Sequence, residues 1–234
     1  MVPSLAYIFV LLDITSTSLM QLAVGTSLAV IIVTSLSSVM AHHKHGAVQW
    51  GLVARMAPFI AAGSLAGAFM ASRVPSAHLK IVFAVVEMLI ALQLYFELRP
   101  KQGRSLPGTA GLGGISGGIG FLSAVVGIGG GTMMVPYLSW CNVAIHKAVA
   151  TSAACGLPIA LAGSLGFVLL APPAIDLPEH AIGFVYWPAL LGIAVASMLS
   201  APLGAKLAHR LSTRNLRRGF AVFLLFVGMS MLFI

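Results

Sequence analysis

The sequence predicts an all-α polytopic membrane protein, and three observations predict it. Its 234 residues are 59% hydrophobic and only 8% charged, with a mean hydropathy of +1.02; a soluble domain of this size carries roughly 25% charged residues. Seven apolar runs approach or exceed the roughly 20 residues that cross a bilayer as a helix. The stretches between them are too short to hold a soluble domain.

A short apolar piece, 2–12, opens the chain and is ended or capped by Asp13. Spans 17–40 and 48–71 flank His42-His43-Lys44-His45, a cluster without the partner acids or cysteines of a metal site, which reads as a solvated loop. Span 79–97 carries Glu87 near its middle, and Arg99, Lys101 and Arg104 follow it. Span 110–131 is rich in glycine, and 132–147 reads equally as a loop or a half-helix. Spans 148–171, 184–205 and 217–234 complete the set. Trp50, Trp140 and Trp187 sit near span ends, where amphipathic rings favour the head-group level. No Lys or Arg precedes Lys44, so the N-terminus lacks the basic start of a secretory signal peptide. Cys141 and Cys155 fall in or beside apolar segments and read as small buried hydrophobes. The expected location is the cell (inner) membrane, multi-pass.

The formal charge is +8, from 13 Lys and Arg against 5 Asp and Glu. In short loops such residues set topology and meet anionic lipid, so the partner they imply is the bilayer and not nucleic acid. Lys206, Arg210, Arg214, Arg217 and Arg218 mark the strongest cytoplasmic candidate, and the stretch with Asp176 and Glu179 fits the other side. Simple counting then puts Arg99, Lys101 and Arg104 outside, against the positive-inside rule; a further crossing by 132–147 would return them. Both topologies stay open at this level.

The chain repeats itself. Trp50, Gly67, Ala68, Arg73, Lys80 and Phe83 match Trp187, Gly204, Ala205, Arg210, Arg217 and Phe220 at one constant spacing of 137 residues. Upstream, Ala23-Val24-Gly25-Thr26-Ser27 resembles Ala148-Val149-Ala150-Thr151-Ser152, and Met1-Val2-Pro3 resembles Met134-Val135-Pro136. The expected plan is therefore a first repeat over 1–97, a linker over 98–109 and a second repeat over 110–234, with the Thr-Ser segments packed toward one another. The second half has a glycine-rich helix ahead of its Val-Pro and the first does not, as though the chain starts late within a longer gene product.

The most informative stretch is Gly127-Ile128-Gly129-Gly130-Gly131-Thr132-Met133-Met134-Val135-Pro136. Bare backbone survives at membrane depth only where protein buries it or where it lines a wet cavity. The stretch thus marks a broken helix, a place where transporters bind anions. This block, its Val-Pro, the paired Ala-Val-x-Thr-Ser segments and the two-half plan resemble the TauE/SafE family of sulfite exporters and related sulfonate-uptake permeases, over nearly the whole chain. The family opens each half with a glycine-rich block, and this chain keeps only the second. The resemblance implies transport of a small sulfur-containing anion, such as sulfite, a sulfonate or sulfoacetate, by a secondary carrier.

The residues themselves support an anion site. Gly127, Gly129, Gly130 and Gly131 allow N–H groups to converge on one oxyanion. A helix starting there, with Thr132 in its first turn and Pro136 where a missing N–H costs little, would add its positive end. Tight helix packing is the other use of glycine, and it is the better account of Gly113, Gly114, Gly117 and Gly118. Thr26, Ser27, Thr151 and Ser152 offer hydroxyl donors in both halves, or bonds to their own helices. Glu87, the one acid firmly inside a span, is the proton-coupling candidate, with a structural hydrogen bond as the alternative. No cofactor or metal is implied, and the oligomeric state is left open, a homo-oligomer included.

Other functions have weaker support. Gly114-Ile115-Ser116-Gly117 fits the pattern around an intramembrane serine nucleophile, but every histidine lies in a loop or at a span end, away from it. The HExxH metalloprotease pattern is absent, and all five lysines are at loops or span ends, so a retinal Schiff base has no mid-span site. An anion channel, without alternating access, remains the alternative to a carrier.

Overall fold

The computed structural model describes residues 1–14, 17–96, 103, 105–172, 177–210 and 213–231, with side chains outside 201–217. Among these the chain forms α1 (Val2–Leu11), α2 (Leu19–Lys44), α3 (Trp50–Ala71), α4 (Ser76–Tyr95), α5 (Thr109–Val126), α6 (Gly131–Trp140), α7 (Ile145–Leu169), α8 (Trp187–Arg210) and α9 (Thr213–Met231). One small antiparallel hairpin, β1 (Ala181–Ile182) with β2 (Val185–Tyr186), lies between α7 and α8. Five helices, α2 to α5 and α7, are long and apolar enough to cross a membrane. The protein is the helical polytopic membrane protein its composition predicts. Arg99, Lys101, Arg104 and Asp176, and the side chains of Lys206, Arg210, Arg214 and Arg217, lie outside the described residues.

Two elements differ from expectation. The fourth span ends at Val126 instead of 131, because Gly127 adopts φ +69 and closes the helix, the Ile128 N–H donating to the Ser123 carbonyl at 3.1 Å. A left-handed residue there favours glycine. The ambiguous stretch 132–147 begins as a ten-residue helix, α6, with Pro136 inside it.

Close approaches set the helix directions. A side chain at Gly25 would meet Phe167, one at Gly163 would meet Leu28, and one at Gly156 would meet Ser35, so α2 and α7 run antiparallel. Between α3 and α5 the order is parallel, with Phe59 on Gly113 and Phe121 on Gly67. A Cβ at Gly63 would strike the Gly117 carbonyl and one at Gly120 the Ile60 carbonyl, so these helices touch backbone to backbone as small residues allow. Gly114 and Gly118 meet nothing within 4 Å, so packing accounts for only two of the four glycines assigned to it. Helices α4 and α9 are antiparallel: Gly228 lies beside Ala84 and Met88, and Arg218 reaches over the Tyr95 ring at 5.8 Å.

These directions resolve the topology that counting leaves open. The chain descends α5, closes at Gly127 beside Val24 near the start of α2, and passes Ile31 at Gly129. Helix α6 then climbs back toward the end where α5 began. As a result α7 starts on the same face as the end of α2, where the Gln49 N–H reaches the Thr151 hydroxyl. The reversal puts the α2–α3, α4–α5, α6–α7 and α8–α9 connections on one face. Among the described Lys and Arg side chains, Lys44, Arg55, Lys147 and Arg218 belong to helix ends at that face, and Arg73 and Lys80 to the opposite one.

The Thr-Ser segments do not pack toward one another. In the antiparallel pair α2 and α7, Gly25 lies against Phe167 and Ser35 against Gly156, so Thr26 and Thr151 differ in level by about 15 residues, roughly 20 Å at 1.5 Å rise per residue.

Candidate functional site

A cavity of about 1000 Å³ lies along α6, from the glycine turn toward the basic face. Helix α2 presents Ile31, Thr34, Ser35 and Ser38 to it, spaced as one helical face. Helix α6 adds Thr132, Val135, Pro136 and Ser139, again one face, below the turn Gly129–Gly131. Ile90, Gln93 and Leu94 of α4, Ile145, Ser152, Ala153 and Gly156 of α7, and Phe220 of α9 complete the wall.

The polar groups of this wall are incompletely used. Thr132 Oγ1, Ser139 Oγ and Ser152 Oγ are buried without a hydrogen-bond partner, and Ser152 as a whole is 1% exposed. A buried hydroxyl left unpaired costs about 1–3 kcal/mol, and three of the five unpartnered buried side-chain atoms among the described residues lie on this cavity. No side chain caps the start of α6. Its first-turn N–H groups carry roughly half a positive charge, and an oxyanion at that end would use both the N–H groups and the Thr132 hydroxyl. A Cβ at Gly131 would meet open space, whereas one at Gly130 would strike the end of Ile159 and one at Gly129 would touch Ile31 at 3.7 Å.

The candidate residues therefore divide. Gly129, Gly130, Gly131, Thr132, Pro136 and Ser152 come together on the cavity. Gly127, Thr26, Ser27 and Thr151 do not line it and are used in holding backbone. The Ser27 hydroxyl donates to the Gly127 carbonyl at 3.0 Å, and a side chain at Gly127 would strike Val2 and Val24. Thr26 Oγ1 accepts from the Tyr186 N–H at 2.9 Å, and Thr151 Oγ1 from the Gln49 N–H at 3.2 Å. These two bonds are equivalent: each threonine holds the residue just before a tryptophan that starts a helix, Trp187 or Trp50. Glu87 sits one turn deeper than Ile90 on α4, 7% exposed, with Oε2 unpartnered and outside the cavity wall.

Sequence reasoning missed Thr34, Ser35, Ser38, Gln93 and Ser139. The signal was present in the hydroxyl residues that recur at helical spacing within the otherwise apolar 31–38 run. Two other candidates have local roles. The Ser116 hydroxyl donates to the Leu112 carbonyl of its own helix at 2.7 Å. His43 Nδ1 accepts from the Trp50 indole N–H at 3.1 Å, joining the end of α2 to the start of α3.

A helical membrane bundle with a polar cavity at the start of an interrupted helix is the build of a solute transporter. The family model described as "Sulfite exporter TauE/SafE" matches residues 1–231, and the chain belongs to that family. It is 33% identical to a "Probable membrane transporter protein" of Haemophilus influenzae, over 98% of this chain and 88% of the relative. Identity is 27% to the "Probable membrane transporter protein YunE" of Bacillus subtilis, with 99% and 88% covered. A relative from Methanocaldococcus jannaschii, also named a probable membrane transporter protein, is 28% identical over 91% and 79%. No solved structure matches the chain. The protein is a multi-pass membrane transporter.

Proposed function

We propose that this transporter is a secondary carrier of small sulfur-containing anions of the sulfite, sulfonate or sulfoacetate type, and that the cavity along α6 is its binding site. One observation carries the reading: three buried, unpartnered hydroxyls line the space into which the uncapped start of α6 opens. The family description supplies the sulfur chemistry. Two related halves, α1 to α4 and α5 to α9, enclose the site, and the repeated Thr-to-backbone bond supports that plan. By the positive-inside rule the basic face is cytoplasmic, so the cavity opens inward in this conformation.

Gly131→Leu tests the reading. Its side chain enters open space instead of a neighbour, so the protein folds and inserts while the cavity is filled. Uptake of radiolabelled sulfonate or sulfite into proteoliposomes falls at least a hundredfold. Normal transport by a folded Gly131→Leu protein would place the anion elsewhere.

A further inference from the structure

We infer that the hairpin between α7 and α8 is the gate of the face opposite the cavity, with Phe184 as its plug and the Thr26 hydroxyl as its latch. The inference takes the cavity along α6 as the transport path and is independent of which anion uses it.

The hairpin has a counterpart on the basic face. At the 137-residue spacing of the repeat, His180, Gly183, Tyr186 and Trp187 match His43, Gly46, Gln49 and Trp50. The two segments are built alike. The His43 and Trp50 rings meet edge to face with centroids 5.6 Å apart, and those of His180 and Trp187 do so at 5.7 Å. Gly46 and Gly183 both have a positive φ, +61 and +56. Gln49 and Tyr186 each donate the backbone N–H to a threonine hydroxyl in the other half of the chain, Thr151 and Thr26. They differ in what their middle presents. Where the basic-face segment has a half-buried Ala47, the hairpin has Phe184, whose ring is fully buried. The cavity opens at the face whose segment lacks the ring.

Phe184 sits at the end of the seam between α2 and α7. That seam lines the cavity at Ser35 and Gly156, continues through Leu28 on Gly163, and ends at Gly25 beside Phe167. The Phe184 ring meets Phe167 edge-on at 6.2 Å between centroids, and a side chain at Gly25 would strike the Phe184 carbonyl. From Gly25 to Ile31, where the cavity begins on α2, is roughly 9 Å at 1.5 Å rise per residue. Peptide groups at membrane depth survive only where protein buries them, and two bonds fasten this hairpin to the helices. The Phe184 N–H donates to the Phe167 carbonyl at 3.0 Å, one of the last four of α7 that lack a partner within their helix, and the Tyr186 N–H donates to Thr26 Oγ1 at 2.9 Å. Release breaks those bonds and the ring contacts of Phe184 with Phe167 and of Tyr186 with Phe9, and leaves every helix intact. Lids that move are drawn from such weakly fastened segments.

The test is labelling of a cavity cysteine from each face, which needs no transported substrate. Thr34→Cys is made in the full chain with Cys141 and Cys155 replaced by alanine. Sulfonatoethyl methanethiosulfonate, a thiol reagent that does not cross the bilayer, is applied to one face or the other of oriented vesicles. Labelling from the basic face is fast and stays within twofold in every gate variant. Phe184→Ala raises labelling from the opposite face at least tenfold. Thr26→Val keeps the plug and removes its latch, and raises that labelling about fivefold, the worth of one hydrogen bond. Thr151→Val, the same change in the counterpart segment, leaves it within twofold. Should Phe184→Ala fail to fold, the two threonine variants decide. No rise in Thr26→Val, or an equal rise in Thr151→Val, overturns the gate and leaves the cavity reading intact. If the cavity cysteine is not labelled from the basic face at all, the path reading falls and takes the gate with it.

Discussion

Helices α1 and α6 are ten residues each, each contains a Val-Pro pair, Val2-Pro3 at the start of α1 and Val135-Pro136 midway along α6, and each begins close to the turn at Gly127. From there α6 runs to the basic face and α1 to the opposite one. Their surroundings differ. The start of α1 is packed: Val2 is 2% exposed, and Leu5, Ala6 and Phe9 are fully buried. The matching face of α6 lines a cavity, and where α1 has Ala6, α6 has Ser139 with an unpartnered hydroxyl. A broken helix is therefore not enough to make a site. Open space at its start and hydroxyls without partners are what distinguish the second half.

The glycines of the turn allow the strongest test of that distinction. Gly127 joins the two half-helices and has a left-handed backbone with Val2 and Val24 closed around it. Gly127→Val combines backbone strain with a clash, each worth about 1–3 kcal/mol. It should lower thermal stability in detergent by about 3 kcal/mol or prevent folding. Gly131→Leu, four residues on, should leave the melting temperature unchanged and abolish transport. Equal loss of stability in both would mean that the whole turn is structural.

The paired serines give a smaller and more selective contrast. Ser27 donates to the Gly127 carbonyl, whereas its sequence mate Ser152 faces the cavity without a partner. Ser27→Ala should cost about 1 kcal/mol of stability and leave the half-saturating anion concentration alone. Ser152→Ala removes an unsatisfied hydroxyl, so stability holds or rises, while half-saturation increases about fivefold for a lost anion hydrogen bond of about 1 kcal/mol. A Ser152→Ala protein with unchanged half-saturation and lowered stability would return Ser152 to a structural role.

Much of this was legible in the sequence, for identifiable reasons. Apolar runs long enough to cross a bilayer determine where helices form, and three consecutive glycines before a Val-Pro mark where one must break. Hydroxyl orientation was not legible. Thr26-Ser27 and Thr151-Ser152 read alike, yet three of the four side chains bind backbone from elements more than a hundred residues away, or nearly so, in the chain. Local periodicity carries no trace of such partners. Topology failed for a related cause: hydropathy counts crossings, and α6 is a ten-residue return that no hydropathy window of crossing length can resolve. With that one reversal, the end of α4 and the start of α9 come to the same face, where Arg218 reaches over the Tyr95 ring.

The last difference between the halves is Glu87, whose mate at the 137-residue spacing is Leu224. The two lie on the antiparallel pair α4 and α9, where Leu224 packs with Ile90 and Ala91 and α9 comes close to the Glu87 side chain at Gly228. Glu87 Oε2 has no hydrogen-bond partner, the Met1 ammonium being its charged neighbour, and an acid in a membrane span is costly. We propose that this carboxyl, one turn below the cavity, takes up a proton in one conformation and releases it in the other, and so would couple anion movement to a pH gradient. Glu87→Gln keeps the shape and the hydrogen-bonding capacity and cannot titrate. In proteoliposomes it should leave anion exchange within twofold of the unmodified protein and remove the few-fold acceleration by an imposed pH gradient. Gradient-driven uptake that survives in Glu87→Gln would make the carboxyl a structural group between α4 and α9, and the two halves would then differ at the cavity and at the α7–α8 hairpin.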